Sequence, residues 1–231
     1  MGYLIFRNVS TESLDGVYVS EMPSHKKAGK RMTEYYVKGR DGALHVDEGF
    51  SNFDMTAKLV LINAPVDRRQ LVNAWADGTG KLITSDDLTR CYMATVKDEV
   101  RWKRTKANQG FYDTATITFD CQPFMYESVD SVIVMTESTD ILNPGSAIAM
   151  PLIKIEGSGD VDFTFAGYPI RINGMSADSP VFIDCENGYV YTASGAATII
   201  GDIPQLQMGV NSIIFGANVS IITVTPRWRW V

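Results

Sequence analysis

Apolar and polar residues alternate with a period of two along most of this chain. Across residues 113–121, Ala115, Ile117, Phe119 and Cys121 fall on one side and Thr114, Thr116, Thr118 and Asp120 on the other. That pattern marks a half-buried antiparallel strand. Residues 55–61 repeat it, with Met55, Ala57, Leu59 and Leu61 opposite Thr56, Lys58 and Val60. Residues 91–96 and 99–103 read as two strand pieces divided at Lys97-Asp98, and their expected partner is the strand after Gly110. One stretch departs from this pattern. Asn63-Ala64-Pro65 offers a cap and an early proline, Gly78 offers a stop, and Leu71, Val72 and Trp75 fall on one helical face. An amphipathic helix is expected over 65–77, with Arg68, Arg69 and Asn73 turned to water.

Past residue 128 the expected strands shorten: 152–156, 161–165, 168–172, 181–184, 189–192, 211–215 and 219–225. The turn signals Asn143-Pro144-Gly145, Gly157-Ser158-Gly159-Asp160, Asn173-Gly174 and Asn187-Gly188 punctuate this part. Asn-Gly tolerates positive φ at both central positions of a type I′ hairpin. The spacing predicts a β-sandwich or jelly roll of about 100 residues. Residues 20–38 are long, polar and basic, hold Pro23 and Gly29, and predict a protruding arm or loop. The fold class expected is mainly β. A sandwich or barrel-like domain with one α-helix covers 1–128, and a second β-sandwich domain covers 129–231.

Charge supports the same boundary. Residues 1–128 hold 17 Lys and Arg against 17 Asp and Glu, whereas residues 129–231 hold 4 against 10. An acidic second half is poorly suited to gripping phosphate backbones. Two basic clusters interrupt the neutral first part: Lys26, Lys27, Lys30, Arg31, Lys38 and Arg40, and Arg101, Lys103, Arg104 and Lys106. Each reads either as a solvated loop or hairpin tip, or as a contact with an acidic neighbouring subunit. Lys26, Lys27, Lys30, Arg31, Arg101, Lys103 and Arg104 are the candidate oligomer interface. No apolar run approaches the roughly 18 residues of a membrane helix. The first residues lack a basic region followed by a long apolar one, so no secretory signal is expected. Cys91, Cys121 and Cys185 are odd in number and widely spaced, which fits a reduced compartment. The two Asn-Val-Ser triplets at Asn8 and Asn218 are then chance matches to a glycosylation acceptor.

Candidate chemistry is sparse. His25 lies in the basic loop, and His45 shares a His-x-Asp pair with Asp47. The cysteines show no zinc spacing. Gly78-Thr79-Gly80-Lys81 fails the phosphate-loop pattern, because Trp75 and Leu82 stand where Gly and Ser or Thr are needed. No catalytic residue, cofactor or metal is expected. The ending Thr225-Pro226-Arg227-Trp228-Arg229-Trp230-Val231 places both tryptophans on one face of an extended strand and both arginines on the other. It reads either as a strand that caps a core or as a contact strip of Arg227, Trp228, Arg229 and Trp230 against another subunit. Tyr168, Tyr189, Tyr191 and Trp228 supply the aromatics for an alternative reading, a carbohydrate-binding module that contributes to host-surface attachment.

The order of these features resembles a known family. Val37-Lys38-Gly39-Arg40-Asp41-Gly42, an alternating strand, the Asp67 to Trp75 helix, Lys81-Leu82-Ile83-Thr84-Ser85-Asp86-Asp87, and Ile117-Thr118-Phe119 running into Pro123-Phe124 follow one another. Asn143-Pro144-Gly145, residues 151–159, Ile203-Pro204-Gln205-Leu206, Gly209-Val210-Asn211 and Pro226-Arg227-Trp228-Arg229 continue the series. Together they resemble the distal tail proteins (Dit) of long-tailed phages that infect Gram-positive hosts. The resemblance implies a homohexameric ring at the tail tip, found in the virion and made in the host bacterial cytoplasm. It implies an N-terminal domain that builds the ring and a galectin-like β-sandwich outside it. It also implies docking to the tail tube protein on one side and to the tail-associated hub or lysin protein on the other. Genomic DNA would pass through the channel without specific binding. No membrane partner and no enzymatic activity are implied, and 231 residues leave no room for an inserted carbohydrate-binding module.

Overall fold

A computed structural model describes residues 2–62, 66–108 and 110–231. The chain splits into two compact units, one of residues 1–128 with Val231 and one of residues 129–230. The protein is mainly β, as the alternating pattern predicts, with one α-helix among the described residues.

The first unit runs β1 (Leu4–Phe6), β2 (Val9–Ser10), a 3-10 turn (Thr11–Ser13), β3 (Val17–Glu21), β4 (Lys30–Tyr36) and β5 (Ala43–Phe50). It continues with β6 (Phe53–Ile62), α1 (Val66–Trp75), β7 (Gly78–Thr84), β8 (Asp87–Val96), β9 (Arg101–Ala107) and β10 (Gly110–Glu127). Eight of these strands form one antiparallel sheet in the order β2-β1-β7-β8-β10-β6-β3, with β9 also on β10. β10 organises it. One edge of β10 pairs with β6 from Tyr112 to Cys121; the other pairs first with β9 and then, beyond the gap at 97–100, with β8. The two pieces expected to flank the strand after Gly110 therefore do so. Met55, Ala57, Leu59 and Leu61 meet Ala115, Ile117, Phe119 and Cys121 on the buried face, all essentially inaccessible to water.

Helix α1 covers that face with two of the three residues the spacing predicts. Val72, Trp75 and Ala76 are buried while Leu71 is 54% exposed. The Trp75 ring packs edge-on against Phe6 and Phe119 at centroid distances of 6.0 and 6.2 Å, and its Nε1 donates to the Val9 carbonyl at 2.9 Å. Asn73 is exposed as expected, although it accepts a 3.0 Å bond from Trp102 Nε1, whereas Arg69 reaches into the sheet. The expected cap at Asn63-Ala64-Pro65 lies outside the described residues.

The second unit is a two-layer sandwich. Its strands are β11 (Ile133–Met135), β12 (Thr139–Asn143), β13 (Leu152–Gly157), β14 (Gly159–Phe165), β15 (Tyr168–Met175), β16 (Val181–Asp184), β17 (Tyr189–Thr192), β18 (Gly195–Ala196), β19 (Gly209–Phe215) and β20 (Val219–Thr225). They form a six-stranded sheet, β11-β20-β13-β16-β17-β18, and a four-stranded sheet, β12-β19-β14-β15. The inward residues of both enter one core around Ile153, Ile155, Phe163, Phe165, Ile183 and Val224, as alternation in facing sheets requires. The turn signals were partly misplaced. Asn173-Gly174 lies inside β15, where the register shifts opposite Gly159 and Gly174 N donates to Asp160 Oδ1 at 3.0 Å. The β14–β15 turn is instead Ala166-Gly167, with φ of 50° and 87°, the paired left-handed geometry of a two-residue hairpin.

Candidate assembly surface

The residues expected to form an arm are the base and one strand of an exposed hairpin. Among the described residues β4 and β5 pair only with each other, from Tyr36↔Ala43 at the tip to Lys30↔Phe50 at the base. The base is anchored. Pro23 and Ala28 are buried, Phe50 packs edge-on against Phe124 at 5.5 Å, and Ser51 N donates to the Gly29 carbonyl at 2.8 Å. His25 Nε2 lies 3.0 Å from Asp86 Oδ2, and Lys26 Nζ donates to the Asp54 carbonyl at 2.9 Å.

Beyond the base the hairpin is amphipathic and both faces are open. Directly opposed residues share a face in an antiparallel pair. Thr33, Val46, Tyr35 and Leu44 therefore form an apolar side, on which Tyr35, Leu44 and Val46 are 55%, 40% and 48% exposed. Glu34, His45, Met32 and Asp47 form the other. There His45 faces Glu34 at 3.6 Å, and Lys30 pairs with Asp47, whose carboxyl is held below its ordinary range first by that bond and then by Gly49 N–H. Arg31 donates to the Glu48 carbonyl at 2.9 Å, while Lys27 is exposed. Of the first basic cluster, Lys30 is thus paired with a carboxylate, Lys26 and Arg31 are bonded to backbone carbonyls, and Lys27, Lys38 and Arg40 are exposed, beside an uncovered apolar side.

The second basic cluster divides by strand parity. Arg101 and Lys103 lie opposite Thr116 and Thr114 on the outer face of the sheet. Arg104 lies opposite Asp113 and turns inward. Asp113 is fully buried at the head of the apolar row of β10. Arg104 donates to it through Nε and an Nη at 2.7 and 2.8 Å, and Arg69 of α1 does the same at 3.0 and 2.7 Å. The bonds from Arg104, with those from Arg69 and both positive charges, hold the Asp113 carboxyl far below the usual carboxylate range against the opposing effect of burial. Arg104 also stacks over Phe111 at 4.0 Å. This residue is an internal tie between α1, β9 and β10 rather than a free cation.

The terminal Pro-Arg-Trp-Arg run also packs inward. Trp228 is 4% exposed and belongs to the sandwich core; Trp230 is half-buried against it. Arg227 donates to Asp184 at 2.7 Å and Arg229 to Glu186 at 2.7 Å, fastening the chain end to the β16–β17 turn. Burial raises the Asp184 pKa, but the bonds from Arg227 and Asn187 outweigh it and hold the group at about 2. The Arg229 carbonyl accepts from Ser146 and Ala147, and a Cβ on Gly145 would lie 2.3 Å from it. Asn143-Pro144-Gly145 and the Trp-Arg ending are thus two sides of one clasp. Buried Trp228 and Arg229 have no surface to offer as a contact strip, and Trp228 none to offer a sugar. Of the other aromatics, Tyr189 is 68% exposed and Tyr191 stacks on Phe182 at 5.2 Å. Among the described residues, no group of three His, Cys, Asp or Glu side chains is placed to hold a metal ion, and no helix is long and apolar enough to cross a membrane.

No family model matches the chain, and no curated protein matches it. Solved structures do. The crystal structure of the Dit protein (gp 19.1) of phage SPP1, described as a paradigm of the hub adsorption apparatus in phages that infect Gram-positive bacteria, superposes with a TM-score of 0.76 at 16% identity over 100% of both chains. Chains of the phage P2 baseplate in its activated conformation follow. With calcium the TM-score is 0.49 at 10% identity, over 98% of this chain and 97% of the other; with strontium it is 0.45 at 10%, over 97% of both. Over its full length the chain therefore has the fold of a phage distal tail protein, as the order of its motifs implies.

Proposed function

We propose that this chain is a structural component of a phage tail tip. Six copies form a ring that joins the tail tube protein to the tail-associated hub protein, in the virion, after synthesis in the host cytoplasm. The observation that carries this reading is the β4–β5 hairpin. A two-stranded sheet is marginal in water on its own, yet this one is seven and eight residues long and leaves Tyr35, Leu44 and Val46 uncovered. Such an element gains its missing layer from another molecule. A projecting arm that reaches a different patch on an identical neighbour makes the heterologous contact that closes rings. The full-length likeness to SPP1 Dit supports the same reading.

DNA passes through the channel of this ring without specific contact. A sliding path should avoid a basic lining; Lys30 is paired with the Asp47 carboxylate, and Lys26 is held on the Asp54 backbone carbonyl. The interface of this reading is the hairpin itself.

Removing residues 31–49 and joining Lys30 to its opposite residue Phe50 deletes the hairpin and spares its anchored base. Light scattering and negative-stain imaging should show rings for the parent chain and folded monomers for the variant. Rings from the variant would overturn the assignment of the arm.

A further inference from the structure

The four-stranded sheet of the second unit turns an apolar face to solvent. Leu142 of β12 and Val210 of β19 are direct cross-strand partners, 64% and 66% exposed. Ile214, four residues on along β19 and on the same face, is 53% exposed. Ile200, bridged to Arg171 of β15, is 57% exposed. Between Ile200 and Ile214 opens a cleft of about 390 Å³ walled by Pro169, Thr164, Gly201 and Gly216. Backbone fixes its shape: a Cβ on Gly201 would lie 2.3 Å from the Pro169 carbonyl oxygen, and one on Gly216 2.4 Å from that of Asp162. Interface anchors occupy fixed apolar recesses of this kind. The rim is acidic. Asp160 and Asp162 share Arg171, at 3.2 and 3.8 Å, and Asp202 follows Gly201.

Charge decides what suits this cleft. The second unit has 10 acidic residues against 4 basic ones, so two copies of this face repel. The complement is an apolar knob flanked by cations. The hairpin tip carries one: Tyr36 is 78% exposed, its hydroxyl donating to Glu34 at 2.8 Å, and Val37 is 49% exposed, and Lys38, Arg40 and Asp41 follow. We infer that the hairpin tip of one copy seats in this cleft of a second copy. Tyr36 and Val37 lie on Ile200 and Ile214, and Lys38 and Arg40 face Asp160 and Asp162. The contact is heterologous, tip to cleft, and the inference rests on the self-assembly proposed above.

Cross-linking tests it. One chain carries Tyr36→Cys and another Ile200→Cys; Val37→Cys with Ile214→Cys is the second pair. All four positions are well exposed, and the three native cysteines are buried and give no background. Equimolar mixtures are oxidised with diamide. The expected result is a disulfide-linked dimer in the mixtures at far higher yield than in either variant alone, reduced by Lys38→Glu with Arg40→Glu. Tyr36→Ala should weaken self-association about tenfold, as loss of an interface anchor does. Rings that form with no mixed cross-link for either pair overturn the inference and leave the ring standing. A parent chain that never assembles overturns both.

Discussion

Each unit uses a pair of arginines to tie its elements together, and the two pairs stand in different surroundings. In the first unit both guanidinium groups converge on one carboxylate, Asp113, which has no contact with water. In the second, Arg227 and Arg229 are spread over Asp184 and Glu186, whose side chains are 14% and 37% exposed. A buried carboxylate depends on its partners, because losing one leaves charge uncompensated in a poor solvent. A partly wet carboxylate can fall back on water. The first arrangement therefore makes α1, β9 and β10 interdependent. The second is a fastener on a chain end whose main hold is apolar, through Trp228.

That difference ranks the substitutions. Trp228→Ala should have the largest effect, about 3–5 kcal/mol, as for other buried large aromatics. Its mark should be faster hydrogen exchange in β13, β16 and β20, with β6 and β10 unchanged. Arg69→Ala comes next, at about 1.5–3 kcal/mol, the worth of hydrogen bonds to a charged group; it should loosen α1 and β9 together. Arg227→Ala should cost less, about 1 kcal/mol, because Asp184 regains water. If urea titrations put Arg227→Ala above Arg69→Ala, the proposed contrast between the two ties is wrong.

Acid should separate the same two sites. Both carboxyl pKa values are lower in the folded chain than their ordinary 3.8. Each site therefore contributes stability that is complete above about pH 4 and is lost as pH falls towards the folded value. For Asp184 that loss ends near pH 2, where the folded chain itself takes up the proton and Arg227 is released. Asp113 should remain ionised there, since the bonds from Arg104 and Arg69 hold it lower still. Carboxyl carbon NMR shifts followed from pH 5 to 2 should show Asp184 titrating and Asp113 flat. Protonation of Asp113 first would reverse the proposed ranking of the two ties.

Long stretches of the two central strands of the large sheet, β6 and β10, were legible because one side of each is wholly apolar. Residues 55–61 and 115–121 needed no tertiary information. Asp113 shared that inward parity, and an acidic residue at the head of an apolar row was itself the signal that cations must converge there; which cations do so was not visible, because Arg69 and Arg104 come from other elements. The helix face differs from its spacing by one position: Leu71 is exposed and Ala76 is buried, with the Trp75 indole reaching Val9. The hairpin was seen only as an arm. Neither β4 nor β5 alternates against a core of its own chain, so periodicity had nothing to report. The Trp-Arg ending showed its alternation but not its destination, which depends on the β16–β17 turn some forty residues earlier in the chain.

The smallest expected effect uses the cysteines as reporters of the two ties. Cys121 of β10 and Cys185, next to Asp184, are both free and buried, and burial pushes both thiols up to about 12. In the folded chain both should react slowly with thiol reagents at pH 8, since the thiolate is the reactive form. Arg227→Ala should then accelerate Cys185 about fivefold and leave Cys121 unchanged, if the clasp loses about 1 kcal/mol and labelling runs through local opening. Electrostatics alone predicts the opposite sign: Arg227 lowers the Cys185 pKa, so removing it disfavours the thiolate. The direction of the rate change therefore decides whether Arg227 acts mainly as a fastener or as a nearby charge. A slower Cys185 in the variant would show that the chain end stays closed on Trp228 without it.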